Sequence, residues 1–111
     1  MEQKIQKELD LIKESILKAA PTEAIYLFGS HAYGTPSEDS DIDIYVVVSD
    51  DAGDLIDLRA DIRLDLWDKN TRDLDLLNID LLIGKTSVFN RRKEGPTLER
   101  KIAREGVLLY G

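Results

Sequence analysis

The chain has no cysteine, which excludes a disulfide framework and any Cys-based metal site and suits a reducing compartment. It also lacks a long aliphatic run. Its longest apolar stretches fall far short of a bilayer's thickness, and its N-terminus is charged and amphipathic, so a cytoplasmic protein without membrane contact is expected. Positive charge is scarce: 15 Lys and Arg stand against 22 Asp and Glu, a formal net charge of −7. Phosphate attraction dominates nucleic-acid affinity, so direct binding of DNA or RNA is not expected. Bound divalent cations would offset part of the charge locally, and a basic surface on a partner would meet it favourably. Internal repeats, linkers and low-complexity segments are also missing. At 111 residues the chain reads as one domain, large enough for a core but short for an enzyme that must hold two substrates.

The apolar residues that are present are periodic. Ile5, Leu9, Ile12, Ile16 and Ala20 recur at helical spacing, which predicts an amphipathic helix from Met1 to about Ala20, ended by Pro21. Residues Ala24 to Phe28 predict a short buried strand stopped by Gly29, and Asp41 to Val48 a second, β-branched strand. Between them, glycine, proline and serine indicate a turn and loop. Leu55, Leu58, Ile62 and Leu66 predict a helix from Asp54 to about Asp68. A third strand is expected from about Leu76 to Ile83, stopped by Gly84, and then a weakly helical piece at Ser87 to Arg92. A helix from Thr97 to Arg104 follows, with Thr97 as its cap or Pro96 in its first turn, and the chain closes on the apolar run Val107 to Tyr110. This order predicts an α/β (α+β) fold, a small mixed sheet with flanking helices.

Within the second strand, Asp41 and Asp43 lie two residues apart and share a face with Tyr45 and Val47; Ile42, Ile44 and Val46 point into the expected core. Two carboxylates at ~7 Å repel by about 2 kcal/mol at an effective dielectric near 20, a cost without purpose unless a cation sits between them. All-oxygen ligands select Mg²⁺, or Mn²⁺ in its place, over Zn²⁺. Taken alone, the pair more readily describes a charged, solvated strand edge. A Ca²⁺ loop through Asp39, Asp41 and Asp43 fits worse, because a strand follows where that loop needs glycine. Asp80 tips the balance: it lies in the apolar run Asn78 to Ile83, where a lone charge is costly unless partnered. If its strand lies beside the second, three carboxylates form a site for two Mg²⁺ ions. Asp73 and Asp75, in the polar approach to that strand, read as surface residues.

Gly29 and Ser30 follow the first strand at a predicted helix start, where backbone N–H groups, a glycine that allows close approach and the Ser30 hydroxyl suit a phosphate. A lone Gly-Ser is more commonly a capped turn. The evidence lies in its linkage to Ser40-Asp41-Ile42-Asp43.

Together, Phe28-Gly29-Ser30-His31-Ala32-Tyr33-Gly34 and Ser40-Asp41-Ile42-Asp43 resemble the signature of the polymerase-β-type nucleotidyltransferase superfamily. The short chain and its Gly-Val-Leu-Leu-Tyr ending resemble the minimal members of that superfamily. The resemblance implies a single nucleotidyltransferase domain over residues 1–111, with Gly29 and Ser30 holding nucleotide phosphates and Asp41, Asp43 and Asp80 as the catalytic, Mg²⁺-binding residues. It further implies AMP transfer from ATP to a hydroxyl. Many minimal members resemble antitoxins that modify a tyrosine of a small helical ribonuclease toxin, which makes a hetero-oligomer the expected assembly. The alternatives are an antitoxin that acts by occlusion alone and transfer to a small-molecule hydroxyl such as an aminoglycoside. The sequence departs from that pattern at His31-Ala32-Tyr33, where such members often carry arginines, so basic groups near the triphosphate are missing.

Four further features complete the reading. His31 reads as a loop histidine that hydrogen-bonds near the site rather than as a general base. Tyr33 and Tyr45 are candidates to stack on a base, with packing beside the metal site the simpler role for Tyr45. Trp67 reads as a core or interface anchor. Arg91, Arg92 and Lys93 read as solvated surface, or else as charge for a triphosphate or a partner.

Overall fold

The structure, a computed structural model, describes residues 3–34, 41–70 and 79–111. Its order is α1 (Gln3–Ala19), β1 (Thr22–Phe28), α2 (Ser30–Tyr33), β2 (Ile42–Val48), α3 (Leu55–Asn70), β3 (Ile79–Lys85), α4 (Thr86–Arg92), α5 (Leu98–Glu105) and β4 (Val107–Tyr110). The closing apolar run is thus a fourth strand. The strands form one mixed sheet in the order β3-β2-β1-β4. β1 pairs antiparallel with both β2 and β4, whereas β2 and β3 run parallel, joined through a crossover that contains α3.

Each face of the sheet carries its own core. On one, Leu9, Ile12 and Ile16 of α1 and Leu58, Ile62 and Leu66 of α3 pack on Ile25, Leu27, Ile42, Ile44, Val46, Val48 and Leu81. On the other, Phe89 of α4 and Ile102 of α5 cover Phe28, Tyr45 and Val47. The alternation within β2 follows from the two-residue period of a strand, and Ile44 to Val48 are all buried because helices cover both faces of this interior strand.

Local chemistry accounts for the helix ends. The Asp54 carboxylate accepts from the backbone N–H groups of Ile56 and Asp57 at 2.8 and 3.2 Å, which starts α3. Thr97 caps α5, its hydroxyl accepting from Arg100 N–H at 3.2 Å, and Pro96 therefore lies outside the helix.

Two expectations are corrected. Gly84 does not stop β3, which runs on to Lys85 in register with Val48. A Cβ at Gly84 would overlap the Tyr45 hydroxyl, so this glycine makes room for a neighbouring strand's ring rather than ending its own. Trp67 is not a core residue: it is 62% exposed, and with Ile56 and Leu64 it lies on the outer side of α3. The core spacing of α3 is already satisfied by Leu58, Ile62 and Leu66, and Trp67 falls one position off that stripe.

Candidate active site

The site forms where β1 ends and β2 and β3 begin. Phe28 is the register partner of Asp43, and Asp43 is the register partner of Asp80 across the parallel pair. Three distant segments therefore meet at one end of the sheet. Partners in adjacent strands lie about 5 Å apart and point to the same face, so Asp43 and Asp80 are direct neighbours, with Asp41 one step before Asp43. Gly29 has φ +73°, a conformation suited to glycine. A Cβ there would overlap the Asp43 carboxylate, so the bare glycine backbone is what lets that carboxylate lie against the turn.

Asp43 is half-buried, while Asp41 and Asp80 are exposed. Burial raises the Asp43 carboxyl above its usual range, the charges of Asp80 and Asp41 push it further in the same direction, and His31 opposes them. Crowded acidic oxygens whose ionisation is disfavoured are the environment that a hard divalent cation relieves, so the residues fit Mg²⁺. Among the described residues, no three His, Cys, Asp or Glu side chains already stand close enough to enclose an ion. Asp41, Asp43 and Asp80 are adjacent without forming a finished ligand shell. One argument from sequence is corrected: Asp80 is exposed, so its presence in β3 does not reflect an unpaid burial cost; what links it to the site is the register with Asp43.

The turn itself is tightly drawn. Ser30 opens α2 as expected, and the amides of Ala32 and Tyr33 both donate to the Gly29 carbonyl at 3.0 Å. Tyr33 packs against the second core, and the Lys101 ammonium lies 4.8 Å from its ring centroid. Tyr45 is only 4% exposed, which excludes stacking on a base. Its hydroxyl donates instead to Glu99 Oε2 at 3.1 Å. Arg91-Arg92-Lys93 is not a uniform solvated patch: Arg92 pairs with Glu99 Oε1 at 3.0 Å, and Lys93 lies over the Phe89 ring at 5.9 Å. Asp73, Asp75 and Ser40 lie outside the described residues.

Sequence reasoning missed Glu99. It is buried at 8% exposure beneath α5. Burial alone would raise its carboxyl; its own backbone N–H, the Arg92 guanidinium and the Tyr45 hydroxyl together hold it below the usual range. Burial, followed by the charge and hydrogen bond of Glu99, pushes the Tyr45 phenol up. The available signal was the helical spacing of Glu99 with Ile102, which places a carboxylate on the inward face of α5.

The sequence profile of the family described as Polymerase beta, Nucleotidyltransferase matches residues 10–111. The chain belongs to that family. As a polymerase-β-type nucleotidyltransferase it shares its fold with a Sulfolobus solfataricus protein provisionally described as a nucleotidyltransferase, at 20% identity and a TM-score of 0.55, over 97% of this chain and 86% of that one. A toxin–antitoxin pair, MntA-HpeT, with two aspartates two residues apart changed to glutamate, is 25% identical with a TM-score of 0.53, over 96% of this chain and 72% of the other. A toxin–antitoxin structure with AMP-PNP has the same identity and TM-score, over 99% and 74%. No curated protein matches this nucleotidyltransferase. Among its described residues no helix is long and apolar enough to cross a membrane.

Proposed function

We propose that this chain transfers AMP from ATP to a hydroxyl, namely a tyrosine of a partner toxin, and so acts as the antitoxin of a pair. The carrying observation is the convergence of Gly29, Asp43 and Asp80 at one end of the sheet. The likeness to toxin–antitoxin structures, one with AMP-PNP and one altered at two aspartates spaced as Asp41 and Asp43 are, supports the nucleotide and the kind of partner.

Asp41, Asp43 and Asp80 would hold Mg²⁺, which when bound neutralises phosphate charge and lowers the pKa of the acceptor hydroxyl. Gly29 and Ser30 orient the β,γ-phosphates so that the α-phosphorus faces the carboxylates. Asp80 is exposed on β3, the edge strand. The acceptor oxygen bonds to the α-phosphorus as the bond to the β-phosphate oxygen breaks. Pyrophosphate leaves, and the hydroxyl proton passes to solvent.

The test supplies the protein with the product of its neighbouring gene, Mg²⁺ and ATP labelled in the α-phosphate. Label is expected on a tyrosine of the partner. The double substitution Asp41→Ala and Asp43→Ala should lower transfer by at least about a hundredfold. Unchanged transfer by that variant overturns the assignment.

A further inference from the structure

The groups placed at the nucleotide end of this sheet are overwhelmingly acidic, yet a triphosphate is itself strongly anionic. Asp41, Asp43 and Asp80 contribute three carboxylates. Two of the four α2 amides, those of Ala32 and Tyr33, are engaged by the Gly29 carbonyl and have no N–H to offer a phosphate. His31 acts on Asp43. Beyond the Mg²⁺ that these carboxylates would hold, a basic side chain facing the terminal phosphates would complement their remaining charge.

One side chain meets that requirement by its placement. Lys101 projects from α5 and sets its ammonium 4.8 Å from the centroid of Tyr33, three residues beyond Ser30. Tyr33 packs into the second core with Phe28 and Tyr45, on the face of the sheet that Asp43 shares. Lys101 therefore overhangs the segment that leaves the Gly29-Ser30 turn, on the carboxylate side. An aromatic face attracts an ammonium without neutralising it, whereas a carboxylate would cancel its charge. Among the described residues Lys101 has no carboxylate partner. The Tyr33 hydroxyl is buried and has no hydrogen-bond partner among the described residues. Such a group costs stability, so the ring is held there by its packing and not by its polar end.

We infer that Lys101 is a triphosphate-binding residue of this site, held on Tyr33 as a platform and directed at the β,γ-phosphates of the nucleotide. The inference rests on the nucleotidyl-transfer reading and adds to it the source of the basic charge that His31-Ala32-Tyr33 does not supply. A lysine from the far end of the chain replaces a cation within the turn. Because the contact is to the terminal phosphates, it discriminates by phosphate number.

Equilibrium binding of AMP, ADP and the β,γ-imido analogue of ATP, each with Mg²⁺, tests this in the wild type, Lys101→Ala, Lys101→Arg, Tyr33→Ala and Tyr33→Phe. Lys101 is exposed, so its substitution leaves the core intact, and melting curves establish that each variant is folded. Loss of one charge-assisted contact predicts triphosphate affinity reduced about tenfold to a hundredfold in Lys101→Ala, with AMP affinity unchanged. Lys101→Arg should restore most of the loss. Tyr33→Ala should weaken the triphosphate selectively, and Tyr33→Phe, which keeps the ring, should rescue it. Equal triphosphate affinity in wild type and Lys101→Ala, or an equal loss for AMP, overturns the role of Lys101 alone. Failure of the wild type to bind any of the three nucleotides overturns the nucleotidyl-transfer reading, and this inference with it.

Discussion

Asp43 shows how a candidate site residue works against the fold that carries it. It lies against Gly29, beside Asp80 and one step from Asp41, and its carboxyl is raised above the ordinary 3.8 by burial first and by those charges second. The native state therefore holds this proton more tightly than the unfolded chain does. The stability associated with it is fully present below about pH 3.8 and is lost as the pH rises through the raised native value. At neutral pH the ionised carboxylate is a net cost to the metal-free protein. Asp43→Asn should thus melt at a higher temperature than the wild type at pH 7 in chelator, and at the same temperature near pH 3. Added Mg²⁺ should narrow the difference at pH 7 by stabilising the wild type alone. Thermal melts of both proteins at the two pH values, with and without Mg²⁺, measure this; a destabilised Asp43→Asn at pH 7 would show that the carboxylate is satisfied without a cation.

At the scale of elements, α5 is the piece whose seating decides the second face of the sheet. Apolar packing through Ile102 brings it to the sheet, and Glu99 fastens it to Tyr45 of β2 and Arg92 of α4. Glu99 is ionised at a pH lower than usual. Its contribution is present above the unfolded value and disappears as the pH falls through the native one. Glu99→Gln should cost about 1.5–3 kcal/mol at pH 7, the range for a hydrogen bond to a charged group, with the gap closing in acid. Denaturant titrations of the two proteins at pH 7 and pH 3 give the answer. Because α5 also carries Lys101, the variant should weaken triphosphate binding as well. Gly84 belongs to the same system: the missing side chain in β3 is what leaves space for the Tyr45 hydroxyl as it reaches Glu99.

At the scale of the whole molecule, the small acidic chain gathers its carboxylates at one end of its sheet, and on the proposed function a partner supplies the acceptor. On the proposed function, protection of a cell that expresses the partner toxin requires transfer. Asp41→Ala should abolish protection while still forming the complex, as read by growth and by co-purification. Full protection by that variant would mean occlusion instead. Much of this arrangement was legible in the residues. The helices of α1 and α3, the first three strands and the inward and outward faces of β2 are local patterns with periods of 3.6 or 2. Chain-local chemistry also set the turn, since a glycine at positive φ needs no distant partner to be recognised as one. Trp67 as a core anchor and Gly84 as a strand stop were misread because each depends on a neighbouring element: whether the inward face of α3 is already filled, and which ring stands across from β3. The parallel register that sets Asp80 beside Asp43, the clasp of Glu99 on Tyr45 and the placing of Lys101 over Tyr33 belong to tertiary structure alone. Side-chain periodicity determines which way a residue faces, whereas strand pairing and helix seating determine what it meets there, and those are settled by long-range packing of the whole chain.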